Sequence, residues 1–164
     1  MKQLKLGRKD IYALVDSTFN VPDGSLILAS TGYPKIMKST GKKRNSGSYI
    51  YDEKYLHRIV VGDIPSGFEV DHINGNKLDN RRENLRICSR IQNSHNTSNR
   101  KGRFKGVYPL NRSIKNGKVW GVQLTHKYKV YSLGRFESEI DAAIAYNEKA
   151  KELYGEYARL NIID

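Results

Sequence analysis

The sequence predicts an α+β fold in three parts: a β-rich N-terminal region, a central strand–loop–helix segment, and a three-stranded antiparallel sheet packed on one helix. Three observations predict it. Short apolar runs bounded by Gly, Pro and Asp recur through the first part of the chain. A Gly/Asn/Asp-rich stretch over 74–84 separates a strand-like run from a polar segment that can be helical. Beyond Phe104, strand-like alternation gives way to one long run with apolar residues at helical spacing.

Taken in order, Ile11–Val15 and Ser25–Ala29 read as strands, with Pro22-Asp23-Gly24 supplying a turn between them. Lys38–Gly47 is basic and flexible in composition and reads as a hairpin tip or loop. Ser48–Tyr51 and Tyr55–Val61 are apolar enough to pack, and Gly62 with Pro65-Ser66-Gly67 ends that element. Phe68–Ile73 alternates and reads as a strand, and Ser89–Asn96 reads as helical. Residues 97–105, TSNRKGRFK, form a basic connector whose Lys101 and Arg103 can follow a phosphate backbone.

Phe104–Tyr108 reads as a short strand and Asn111–Gly117 as turn-rich. Lys118–Thr125 alternates, with Trp120, Val122 and Leu124 on one face and Val119, Gly121, Gln123 and Thr125 on the other. Lys129–Arg135 makes the third strand. Ser138 is placed to cap a helix, and Gly155 to end it. Its apolar stripe is Ile140, Ala143, Ile144, Tyr146, Ala150, Leu153 and Tyr154, which leaves the other sheet face open. Trp120, Leu133, Phe136 and Ile144 are assigned to the core. The expected division is 1–47, 48–97 and 98–164.

Composition narrows the function. The chain has 164 residues, 29 Lys+Arg and 17 Asp+Glu, a net charge of +12. That balance points to nucleic acid or an anionic surface as partner. Mean hydropathy is −0.67, and no apolar run approaches the roughly 18 residues of a membrane span. The opening MKQLKLGRKDIYALVD is too short in apolar residues for a secretory signal, and a cytoplasmic location is expected. Cys88 is the one cysteine, which excludes an internal disulfide and a zinc site of two or more cysteines.

The chemistry concentrates between Glu69 and Asn96. Phosphodiester hydrolysis needs a base for water, and charge neutralisation at phosphorus and at the leaving 3′ oxygen. A histidine near its ordinary pKa suits the first. A hard divalent cation, bound by carboxylate and amide oxygens, suits the others. Asp71 and His72 are adjacent on a strand and point to opposite sides. One can hold the metal while the other faces the attacking water. Asn93 can return an amide oxygen to the metal, and Asn84 can bond backbone near His72 and hold it in place.

Val70-Asp71-His72-Ile73-Asn74-Gly75-Asn76, Asn80-Arg81-Arg82-Glu83-Asn84-Leu85-Arg86 and Gln92-Asn93 together resemble the HNH homing endonucleases of phages, in the branch whose last histidine is an asparagine. The resemblance covers about 55–96. It implies a ββα-metal unit with His72 as general base, Asp71 and Asn93 as metal ligands and Asn84 as the loop-fixing asparagine. It implies a divalent cation, magnesium first and manganese as the alternative. His95 lies two residues beyond Asn93, which turns it to another helical face, and is set aside. His57 is expected to be structural, whereas Arg58 can reach a phosphate.

A second resemblance covers about 103–162. Lys105-Gly106-Val107, Trp120, Ser132-Leu133-Gly134-Arg135-Phe136, Ala142–Asn147 and Tyr154–Asn161 are similar to the plant APETALA2/ethylene-response-factor domain. That family lays its sheet in the major groove. Lys105, Tyr108, Gln123, Thr125, Val130 and Ser132 occupy its DNA-contacting positions. Arginine and tryptophan are common at several of them in plants, so plant sequence preference does not carry over. The expectation is a monomeric endonuclease acting on double-stranded DNA, with no membrane partner. The alternatives are a non-catalytic DNA-binding regulator retaining the HNH fold, and an RNA-binding protein.

Overall fold

A computed structural model describes residues 1–8, 10–97, 103–114 and 117–163. It is α+β, with small antiparallel sheets, three helices and a final three-stranded sheet packed on the last helix. The chain divides into two compact units, Met1–Arg90 and Ile91–Asp164.

In the first unit, β1 (Lys2–Lys5) pairs antiparallel with β2 (Tyr12–Val15). β3 (Ser25–Leu28), β4 (Pro34–Lys43) and β5 (Tyr49–Tyr55) form a second antiparallel sheet in that order. Alternation in β2 sends Ala13 and Val15 inward, where they meet Leu4, Leu6, Ile36 and Leu56. Leu56 opens α1 (Leu56–Val61), whose Ile59 and Val60 pack on the same core. α1 stops at Gly62, which has φ 83°. β6 (Phe68–His72) then pairs with β7 (Leu85–Ser89), His72 opposite Leu85. β1 carries no turn or alternation signal strong enough to be read locally.

The basic stretch 38–47 is not all loop. β4 continues through Lys43, and only residues 44–48 turn. The reason is non-local: Lys38 pairs with Asp52, Ser39 with Tyr51 and Lys43 with Tyr49. Thr40 Oγ1 donates to the Ile50 carbonyl at 2.9 Å.

Residues 91–164 form the other unit, which begins within α2 (Arg90–His95). β8 (Val107–Ile114), β9 (Gly117–His126) and β10 (Lys129–Phe136) form the sheet with β9 central. β8 starts three residues later than the sequence reading, because Gly106 adopts φ 76° and breaks the extension from Phe104. The expected turn over 111–117 is strand through Ile114 and again from Gly117; residues 115–116 lie outside the described residues.

α3 (Glu139–Tyr154) lies on this sheet. Ser138 Oγ accepts from the Ile140 and Asp141 amides, satisfying two otherwise unpaired donors. Gly155, φ 55°, ends the helix as expected. The buried face is narrower than the apolar stripe. Ala142, Ala143, Tyr146, Ala150 and Tyr154 are buried against Val107, Val122 and Leu124, while Ile140 and Ile144 are exposed. Ile144 is therefore not a core residue; small alanines let helix and sheet approach, and the isoleucines fall outside that contact. Trp120, Leu133 and Phe136 pack against the core, half-buried.

Candidate active site

The polar loop between β6 and β7 is held from its own ends and from the N-terminal sheet. Asn84 does most of the internal tying. Its Oδ1 accepts from the Asn74 amide at 3.0 Å. Its Nδ2 donates to Asn74 Oδ1 at 3.0 Å and to the Asp79 carbonyl at 2.7 Å. Its own carbonyl accepts from the Ile73 amide at 2.9 Å, next to His72. Asp79 is buried, and its carboxylate is held by Arg81 Nε at 2.8 Å and Asn74 Nδ2 at 2.9 Å. The Arg81 hydrogen bonds hold this carboxyl below its ordinary pKa.

The outer side of the loop is clasped by β2. The Leu14 amide donates to the Leu78 carbonyl at 2.7 Å, and the Asn80 amide donates to the Leu14 carbonyl at 2.8 Å. The Arg82 amide donates to Asp16 Oδ2 at 2.8 Å, and Lys77 Nζ to the Thr31 carbonyl at 2.9 Å. Residues of the N-terminal sheets thus fix the loop backbone from which Asn80 projects.

Asn80 is fully buried and meets the histidine that the sequence singles out. Asn80 Nδ2 donates to the Lys77 carbonyl at 3.1 Å, so its Oδ1 faces His72 Nε2 at 3.3 Å. An amide oxygen only accepts. A neutral His72 therefore carries its proton on Nε2 and its lone pair on Nδ1. His72 is only 4% exposed, and burial lowers its pKa, opposed in part by Asn80 and by Asp71. It stays in the form that takes a proton.

Asp71 is buried, and Arg86 grips it, Nε at 2.9 Å and Nη2 at 2.7 Å from Oδ2. His57 sits edge-on to His72, ring centroids 5.3 Å apart, and stacks on Tyr55 at 5.5 Å. Burial first, then His72 and Arg58, pushes its pKa down to about 4. His57 Nδ1 is buried without a hydrogen-bond partner. Tyr33 closes the cluster at 5.1 Å from His57 and 5.8 Å from His72.

The first unit thus brings Asp71, His72 and Asn84 together, and adds Asn80, Arg86, His57 and Tyr33. Sequence reasoning did not assign Asn80 or Arg86 a role. Nothing local in the sequence separates Asn80 from the other polar residues of the loop; its burial with Asp79 shows only in the fold. Arg58 is exposed on α1.

In the second unit, Asn93 is half-buried on α2. His95 is buried and stacks on Tyr154 at 3.9 Å, which gives it a packing role. Lys105 is half-buried with Nζ donating to the His95 carbonyl at 2.6 Å; burial pushes its pKa down to about 8. Arg103 is exposed, its guanidinium 4.8 Å from the Phe104 ring centroid. Tyr108 lies on Gly121, where an added Cβ would sit 2.7 Å from its Cζ. Gln123, Thr125, Val130 and Ser132 are exposed on the sheet face away from α3, whereas Val119 on that face is buried. Lys101 lies outside the described residues.

Asp71 in the first unit carries carboxylate oxygens and Asn93 in the second an amide oxygen, the donor types that a hard cation takes. Among the described residues no three His, Cys, Asp or Glu cluster to cage a metal. Burial pushes the Cys88 thiol up to about 11, so it supplies no thiolate ligand at neutral pH. No helix among the described residues is long and apolar enough to cross a membrane.

Comparison with known proteins finds relatives of this chain. The family model for HNH endonucleases matches residues 54–95. An uncharacterized HNH endonuclease of Acanthamoeba polyphaga mimivirus is 38% identical over 129 residues, 76% of this chain and 66% of that protein. Protein 3.8 of Escherichia phage T7 is 31% identical over 98 residues, 60% of this chain and 79% of that protein. The chain thus spans just under two thirds of the mimivirus relative's length. No solved structure matches. Residues 54–95 are similar to HNH endonucleases, and the chain belongs to the family that includes protein 3.8 of phage T7.

Proposed function

We propose that this chain is a metal-dependent, homing-type endonuclease that hydrolyses phosphodiester bonds in double-stranded DNA. One observation carries the reading: within the HNH segment, a buried neutral histidine is held on Nε2 by a fixed amide oxygen, beside a buried aspartate. His72 accepts the proton of the attacking water at Nδ1. The hydroxide oxygen bonds to phosphorus, the P–O3′ bond breaks, and the 3′ oxygen takes a proton from solvent. Asn80 orients the imidazole, and Asn84 keeps the strand end and loop in register. Asp71 and Asn93 would hold the divalent cation, magnesium or manganese, which would supply neutralisation of charge at phosphate and leaving oxygen. Arg58 and Arg103, with Lys101, contact phosphates.

The second unit serves as the target-binding module, akin to the plant domain in its three strands backed by one helix. Tyr108, Gln123, Thr125 and Ser132 face DNA there, with Lys105 at the border. The division into 1–47, 48–97 and 98–164 is kept as a division of labour: support, cutting and address. The protein works as a monomer in the cytoplasm of a bacterial host, a setting supported by its phage relative.

His72→Ala is expected to abolish plasmid nicking in magnesium while duplex affinity stays nearly unchanged. Cleavage at the wild-type rate by that variant overturns the mechanism. The Arg86 grip on Asp71 favours the rival reading, a regulator that keeps the fold without cutting. Chelator-sensitive nicking by the wild-type chain decides against it.

A further inference from the structure

The β9–β10 hairpin is closed by two residues, because His126 pairs directly with Lys129. Both closing residues are left-handed, Lys127 at φ 47° and Tyr128 at φ 65°. They are the only non-glycine residues with positive φ among those described. Such turns select Asn-Gly or Asp-Gly, because a Cβ in this region crowds the following carbonyl. A bulky ring at the second position is the reverse of that preference. Strain of this kind persists where burial or function compensates for it. Burial does not compensate here: Tyr128 is 96% exposed, the most exposed large apolar side chain in the described molecule.

The surroundings say what the ring is for. From Ile91 to Phe136, within the same unit, the sequence has no Asp or Glu and ten of the chain's 29 Lys and Arg. The hairpin tip carries exposed Lys127, and the neighbouring sheet face presents exposed Thr125 and Val130. Lys129 points elsewhere, its Nζ 5.2 Å from the Tyr131 ring centroid. A cationic tip with a projecting flat ring matches a polyanion built of flat rings.

We propose that the Lys127–Tyr128 tip is a duplex-DNA contact, with Tyr128 wedged against a base step and Lys127 on the adjoining phosphate. The inference rests on the reading that the second unit binds duplex DNA. It adds a contact outside the sheet positions named for that module.

The test uses the full chain and a fluorescein-labelled duplex of mixed sequence, read by anisotropy, with thermal unfolding in parallel. Tyr128→Gly removes both the ring and the strain. Its expected signature is a raised melting temperature together with duplex affinity weakened by about 5- to 100-fold, the range for loss of one aromatic–base stack. Tyr128→Phe keeps the ring and is expected to keep wild-type affinity. Wild-type affinity in Tyr128→Gly overturns this inference alone. A wild-type chain without duplex affinity overturns the underlying reading with it. A Tyr128→Gly chain that loses self-association while binding DNA normally gives the tip to a second copy instead, and a lowered melting temperature overturns the strain argument.

Discussion

At the scale of single residues, the site depends on which amide faces which histidine. Asn80 and Asn84 are four apart in one polar loop, and both are buried. Asn84 bonds backbone and Asn74; Asn80 bonds His72. The sequence spacing led to Asn84, because its family role is tied to the Asn-Leu-Arg run. It could not lead to Asn80, whose orientation is set by the Lys77 carbonyl and by β2. His57 gives the pH dependence. Its folded pKa of about 4 lies below the ordinary 6.5, so folding favours the neutral ring. Its contribution is intact above pH 6.5 and falls away as pH drops toward 4, because the unfolded chain takes up the proton first. The loss is on the order of 3 kcal/mol at most. Urea unfolding at pH 7 and pH 4.5 is expected to show a smaller drop for His57→Phe than for the wild type; equal drops would remove His57 as the cause.

At the scale of elements, local signals and distant partners divide the outcome. Helix α3 was legible because Ser138 and Gly155 are local signals for its two ends. Its packing face was not, because Ile140 and Ile144 satisfy helical spacing while the sheet takes the face of Ala142, Ala143, Tyr146, Ala150 and Tyr154. Likewise Lys38–Lys43 reads as loop until Asp52 and Tyr51 are seen across from it. Gly106 marks how closely helix and sheet approach. A Cβ there would lie 2.2 Å from Tyr146 Cδ2, and its φ is 76°. Gly106→Ala therefore combines a clash with a disfavoured backbone and is expected to cost more than about 2 kcal/mol in urea unfolding. A loss below about 0.5 kcal/mol would mean that Tyr146 yields freely.

At the scale of the whole molecule, charge was the most legible property, and the grouping of the segments less so. A net charge of +12 with an acid-free stretch from Asn84 to Phe136 argues for binding dominated by phosphate contacts. Duplex affinity is expected to fall with salt with a log–log slope of about −5 or steeper, roughly 0.9 per phosphate neutralised. A slope shallower than about −2 would leave the charge without its assigned partner. The N-terminal residues carried no chemical motif, and their part emerges only from the bonds of Leu14 and Asp16 to the loop.

That clasp bears on how self-sufficient the HNH-like segment is. The segment matched by the HNH model, 54–95, is 42 consecutive residues and looks portable. Yet the backbone on either side of Asp79 is tied to Leu14, through Leu78 and Asn80. A transplant that carries 54–95 alone leaves those partners behind, and with them the fixed direction of Asn80. The structural unit is therefore longer than its signature, reaching back to the first strands of the chain.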